Sequence, residues 1–190
     1  DTNGQYPDDA FNGGDTVSLG IALTTTGTNK GIVTTGGTNT VIVSETGSIT
    51  TGTGNHAYGI RNLGDDNKIT LSGSITTTGA SSYGIINYGD SNTTTVSGSI
   101  KTTGTEGLGI FSHGSNNSVT ISGTVSTTNS IYGALVSRYG TGNSFTLNEG
   151  ATIIGDITAR VDGIKNKLTF NLGQDASYAY SVGGVGEGEG

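Results

Sequence analysis

Apolar and polar residues alternate in short bursts along most of the chain. The bursts read Val17/Leu19, Val41/Val43, Ile69/Leu71, Thr94/Val96, Val119/Ile121, Phe145/Leu147 and Leu168/Phe170. Two apolar or β-branched residues with one residue between them is strand periodicity, with one side buried. A second apolar position recurs at Leu23, Ile49, Ile75, Ile100, Val125 and Ile153, usually behind a Gly-Ser or similar small pair and ahead of a Thr tract. It predicts a second strand of β-branched residues. A third segment reads Gly31-Ile32, Tyr58-Gly59-Ile60, Tyr83-Gly84-Ile85, Leu108-Gly109-Ile110 and Tyr132-Gly133-Ala134.

Between the third and first segments lies Gly-x-x-Asn, at Gly36/Asn39, Gly64/Asn67, Gly89/Asn92, Gly114/Asn117, Gly140/Asn143 and Gly163/Asn166, with spacings of 28, 25, 25, 26 and 23 residues. Asn12/Asp15, 24 residues before the first, reads as a degraded seventh copy. Three short strands per unit cannot bury an apolar face alone, whereas stacked units close a continuous narrow core. The fold expected is therefore all-β: a single-stranded parallel β-helix, or solenoid, of about seven coils. Each coil is three-sided with roughly 25 residues, and at a strand spacing of about 4.8 Å the rod is on the order of 35 Å long. Period two and the density of Gly and Thr exclude a helical solenoid.

In such a stack the Asn column (Asn39, Asn67, Asn92, Asn117, Asn143, Asn166) is expected to form a structural ladder. Asn tolerates left-handed turns, and its amide is expected to bond the same amide in neighbouring coils. The Gly before it is expected to provide positive φ or close backbone approach. Val43-Ser44-Glu45-Thr46-Gly47, Leu147-Asn148-Glu149-Gly150-Ala151 and the stretch Gly133 to Gly140 each carry two extra residues and are expected to bulge at corners. The organisation expected is an N-terminal cap or assembly segment over 1–14, repeats over 15–173, and a C-terminal strand with a Gly/Glu-rich tail over 174–190. Within that last segment, Ser177 to Val182 alternates as a strand would.

Composition narrows the function. The 190 residues include 35 Gly, 1 Pro, no Cys, no Met and no Trp, with 31% hydrophobic and 12% charged residues. A conventional compact core is not expected from so few apolar residues, and disorder is not expected from so few charges. A net charge of −7 argues against nucleic acid and anionic membrane as partners. Without Cys there is neither a disulfide nor a thiolate metal site. No run reaches the roughly 20 apolar residues of a membrane helix, so no membrane insertion of this segment is expected. The chain opens on Asp1-Thr2-Asn3 without a basic, apolar leader, as a processed segment would.

Candidate chemistry is sparse. The residue before the turn Gly runs Leu63, Tyr88, His113, Tyr139, a column whose aromatic members are expected to face outward, with Arg61, Asp65, Asp66 and Asp90 nearby. Arg61, Asp65, Tyr88, Asp90, His113 and Tyr139 are thus the candidate ligand-binding residues. Asp65, Asp66 and Asp90 with Arg61 are also the nearest imitation of a polysaccharide-cleaving acidic cluster, and the three Asp alone of a calcium site, but acidic residues equally suit exposed turns. Gly89-Asp90-Ser91 occupies a turn slot, so it is not read as a nucleophile motif. The pairs Thr24/Thr26, Thr76/Thr78, Lys101/Thr103 and Ser126/Thr128 suggest Thr-x-Thr rows of ice-binding type, interrupted by Lys101, Ser126 and Gly52. No catalytic residue, metal or cofactor is assigned.

The run Tyr58-Gly-Ile60, Gly64-x-x-Asn67, Ile69 to Gly79, with Gly155-Asp156-Ile157, resembles the passenger domains of Gram-negative autotransporters over roughly residues 15–173. That resemblance implies secretion through a C-terminal outer-membrane barrel and display at the cell surface as an adhesin or self-association module. It also favours a right-handed coil. The function expected is a non-enzymatic extracellular adhesin or scaffold contacting host or cell-surface glycan or protein, or itself. The alternative is a subunit of a homopolymeric extracellular fibre joined end to end through its terminal segments. An enzyme acting on polysaccharide ranks third.

Overall fold

In a computed structural model the described residues are 11–128, 130, 132–159, 165–171 and 173. They form three parallel sheets that run the length of one solenoid. The first sheet stacks Thr16–Leu19, Thr40–Val43, Lys68–Leu71, Thr93–Val96, Ser118–Ile121, Ser144–Asn148 and Lys167–Asn171. The second stacks Ala22–Thr24, Ser48–Thr50, Ser74–Thr77, Ser99–Thr102, Thr124–Thr127 and Thr152–Ile154. The third stacks Ile32–Thr34, Ile60–Asn62, Ile85–Asn87, Ile110–Ser112, Leu135–Ser137 and Ile157–Ala159. One strand from each sheet makes a coil, so the three segments expected from sequence are the three sides. Among the described residues no helix is long and apolar enough to cross a membrane.

The core runs along the axis. Val41, Ile69, Val119 and Phe145 are paired through the first sheet, Ile49, Ile75, Ile100 and Val125 through the second, and Ile60, Ile85, Ile110 and Leu135 through the third, all of them buried. Each such side chain contributes roughly 1.5–3 kcal/mol by leaving water. Thr94 interrupts the first column and is also fully buried; its Oγ1 accepts from Asn87 Nδ2 at 3.1 Å. Two buried polar columns line the corners: Thr25, Thr51, Thr77, Thr102 and Thr127 at or just past the end of the second-sheet strands, and Thr34, Asn62, Asn87, Ser112 and Ser137 at the end of the third. In the second of these, Thr34 Oγ1 donates to Asn62 Oδ1 at 2.8 Å and Asn62 Nδ2 to Asn87 Oδ1 at 3.1 Å.

The Gly-x-x-Asn ladder differs from the expected one in the bonding and backbone conformation of its Asn, whereas its Gly takes one of the two roles expected of it. Each Asn carboxamide oxygen accepts from the backbone N–H of the equivalent residue one coil earlier, not from another side-chain amide: Asp15 N–H donates to Asn39 Oδ1 at 2.9 Å, Asn67 to Asn92 at 2.8 Å, Asn92 to Asn117 at 2.9 Å and Asn117 to Asn143 at 2.8 Å. Asn143 N–H donates likewise to Asn166 Oδ1 at 2.9 Å. The backbone donor is fixed by the coil, so it orients the side chain better than a rotatable amide would. Positive φ falls on the residue before the Asn, at Thr38, Asp66, Ser91, Asn116 and Gly142, and not on the Asn or the leading Gly. Of the two roles expected of that Gly it serves close approach: a Cβ on Gly89 would stand 2.2 Å from Gly64 O. No side chain fits there.

The corner insertions bulge as expected, with Glu45, Thr46, Glu149 and Gly150 exposed. The fifth coil departs from the expected register. Ile110 pairs with Leu135, so Ala134 and not Gly133 occupies the glycine slot of Gly59, Gly84 and Gly109. Arg138 N–H donates to Ser112 O just as His113 donates to Asn87 O and Tyr88 to Asn62 O. Arg138 is therefore the column residue, and Tyr139, at φ 69°, is an inserted one. The strand expected at Ser177 to Val182 lies outside the described residues, as does Gly163.

Candidate functional site: an aromatic lateral face

The third sheet carries a layer on its outside that the other two lack. The central residue of each of its strands points away from the axis, and these residues are Val33, Arg61, Ile86, Phe111, Val136 and Thr158. Ile86, Phe111 and Val136 are nonetheless buried. Tyr58, Tyr83 and Leu108, from the turn before the strands, and Tyr88, from the turn after, cluster with them. This is a second apolar cluster, built on the outer side of a sheet whose inner side already faces the axial core.

The rings form one connected chain. Tyr58 and Tyr83 stack with centroids 5.1 Å apart, and Tyr83 meets Phe111 edge-on at 5.6 Å. Phe111 meets His113 edge-on at 5.8 Å. His113 lies between Tyr88 at 5.1 Å and Tyr139 at 4.9 Å, and His56 extends the chain at Tyr58, its Nδ1 3.1 Å from the phenol oxygen. Tyr132 is 44% and Tyr139 53% exposed, which leaves the fifth coil as the open end of the ring surface. Arg61 lies over Tyr88, 5.8 Å from its centroid, and Arg138 over Tyr139 at 4.3 Å. Both are within cation–π range.

Burial and charge mark the same face. Loss of water pushes the Tyr58 hydroxyl well above the usual phenol range, and neighbouring Tyr88 and Tyr83 add to it. Tyr83 is raised chiefly by burial, then by Tyr88 and Glu106. His113 is lowered, first by burial and then by the Arg138 charge. A neutral imidazole among rings keeps both a donor and an acceptor available.

Of the six residues expected to bind, Tyr88, His113 and Tyr139 come together and Arg61 joins them at Tyr88. Asp65 and Asp90 sit on the neighbouring turn with carboxylates already engaged: Asp90 N–H donates to Asp65 Oδ1 at 2.8 Å and Ser115 N–H to Asp90 Oδ1 at 2.7 Å. They hold coil to coil, as turn residues do. Asp66 is exposed at positive φ. Among the described residues no group of three His, Asp or Glu side chains could hold a metal ion.

The sequence reading missed Tyr58, Tyr83, Phe111, Tyr132 and Arg138. The signal was there in Ile85-Ile86-Asn87, Ile110-Phe111-Ser112 and Leu135-Val136-Ser137, where two adjacent apolar residues break strand alternation and announce a covered outer face. The Thr rows of the second sheet do exist, as Thr24, Thr50, Thr76, Lys101, Ser126 and Ile154 in register, but a charge and a 51%-exposed Ile interrupt them.

Comparison of the chain with protein-family models, with curated proteins and with solved structures found no match.

Proposed function

We propose that this chain is a non-enzymatic extracellular scaffold of adhesin type that binds glycan or protein through the outer face of its third sheet. One observation carries the reading: rings from four successive coils, Tyr58, Tyr83, Phe111 with His113, and Tyr139, are gathered on one side of a rod whose other two sides present mainly small polar residues. Aromatic side chains present large, rigid contact area at low entropic cost. The solenoid coils account for the Asn and Gly columns but have no need of this outer layer. The resemblance of residues 15–173 to autotransporter passengers supports display at a cell surface, where such a face would meet its partner.

Beads coated with the purified chain, tested on immobilised glycans and on intact cells, are expected to adhere above albumin-coated beads. The Tyr88→Ser/Tyr139→Ser variant is expected to lose that adhesion. Equal adhesion of the variant would remove the face from the account.

A further inference from the structure

The fifth coil gives the ring surface a particular composition. Phe111 and Val136 form a buried apolar floor, Tyr132 and Tyr139 stand exposed before and after strand Leu135–Ser137, and Arg138 covers the Tyr139 ring at 4.3 Å. His113, 4.9 Å from Tyr139, closes the side toward the fourth coil. The cation is out of keeping with the rest of the molecule, whose net charge is −7. Among the described residues Arg138 has no ion-pair partner, nor does Arg61, the other described arginine, and both lie against tyrosines of this one face. Glu106, whose charge reaches Tyr83, is itself held, accepting from Ser81 Oγ at 3.1 Å.

We infer that this end of the face binds an acidic glycan, a saccharide carrying uronate carboxylates, with a sugar ring against the exposed Tyr139 and a carboxylate on Arg138. The inference rests on the binding role proposed for the face and specifies its ligand. A pyranose presents a C–H face that packs on an aromatic ring, and Tyr139 offers an exposed ring beside the Arg138 guanidinium. A guanidinium presents a planar fork that matches a carboxylate bidentately, which a lysine would not do. The His113 ring supplies a hydrogen-bonding edge for hydroxyls between them. Long-range repulsion from the acidic rod opposes nonspecific uptake of a polyanion, so any binding must come from local geometry.

The test is calorimetric titration of the purified chain with a panel of uronate-bearing oligosaccharides, each paired with its carboxyl methyl ester. At least one acid is expected to bind while its ester binds about tenfold or more weakly, as loss of a charge-assisted hydrogen bond requires. Arg138→Gln is expected to reproduce the loss, Arg138→Lys to restore part of it, and Lys101→Gln, an exposed cation on the second sheet, to leave binding unchanged. Circular dichroism of each variant establishes that the coil is intact.

Equal binding of acid and ester, tighter binding of sulfated chains, or an equal loss in Lys101→Gln would overturn the inference. Adhesion of coated beads without binding of any uronate overturns this inference alone. Loss of both overturns the binding role of the face as well.

Discussion

The first and third sheets stack in the same coils and differ in what stands on their outer sides. On the first, Thr70, Thr95, Thr120, Thr146 and Thr169 follow one another in register, each partly exposed or at a surface position, with small or charged residues beside them. On the third, the corresponding outward positions hold Ile86, Phe111 and Val136 beneath a roof of tyrosines. Both sheets are continuous in their backbone pairing and turn buried columns to the axis. A bare outer side is therefore enough for a coil, and the apolar layer on the third sheet is a separate construction that carries rings to the surface.

The largest effect should come from cutting into that layer. Ile86→Ala, although outward-pointing, is expected to cost about 2–5 kcal/mol in urea unfolding, as an axial residue would, because Ile86 is fully buried. Thr95→Ala at a partly exposed outward position of the first sheet is expected to change stability by no more than about 0.5 kcal/mol. Comparable costs for the two would erase the distinction between the faces.

A smaller contrast lies in the Asn ladder. Asn117 uses both ends of its amide, accepting from Asn92 N–H and donating to Gly89 O at 3.1 Å, whereas the buried Asn92 Nδ2 has no partner. Asn117→Ala is expected to cost about 1–3 kcal/mol by denaturant titration and Asn92→Ala less, because the second substitution also removes an unsatisfied donor. The reverse order would mean that the backbone bonds alone decide the column.

The smallest effect is pH-dependent. The His113 pKa is lowered in the fold by burial and by Arg138, so its neutral form is the native one. Between the lowered folded value and the unfolded value near 6.5 the unfolded chain binds more protons, so stability falls as pH drops below about 6.5. The melting temperature is expected to decline on acidification through that range, and less steeply in His113→Phe. An identical slope in the variant would assign the decline to other groups.

Much of the fold was legible because a solenoid writes its coil into the sequence repeatedly. The inward residues Ile69/Leu71, Ile75 and Ile85 fall where alternation and spacing put them. The local hydrogen bonding of the turn was less legible: spacing locates Asn92 but does not say that its oxygen meets a backbone N–H one coil away. Tyr139 shows the remaining difficulty. Counting back from Gly140 places it with Tyr88 and His113, but the extra residue before that Gly shifts the register and gives the column to Arg138. The Tyr139 ring nonetheless lies against His113, with centroids 4.9 Å apart. The outer aromatic layer depends on side chains leaning across a strand from both flanking turns, a convergence that period-two reading of single strands does not represent.

The central claim is that the third sheet's outer face, and not the Thr-rich first sheet, meets the partner. The most direct measurement compares the adhesion of coated beads to cells and glycans for Tyr88→Ser/Tyr139→Ser and for Thr95→Lys/Thr120→Lys, both confirmed folded by circular dichroism. The account predicts that the first variant loses adhesion and the second retains it. Loss of adhesion in the second with retention in the first would contradict it.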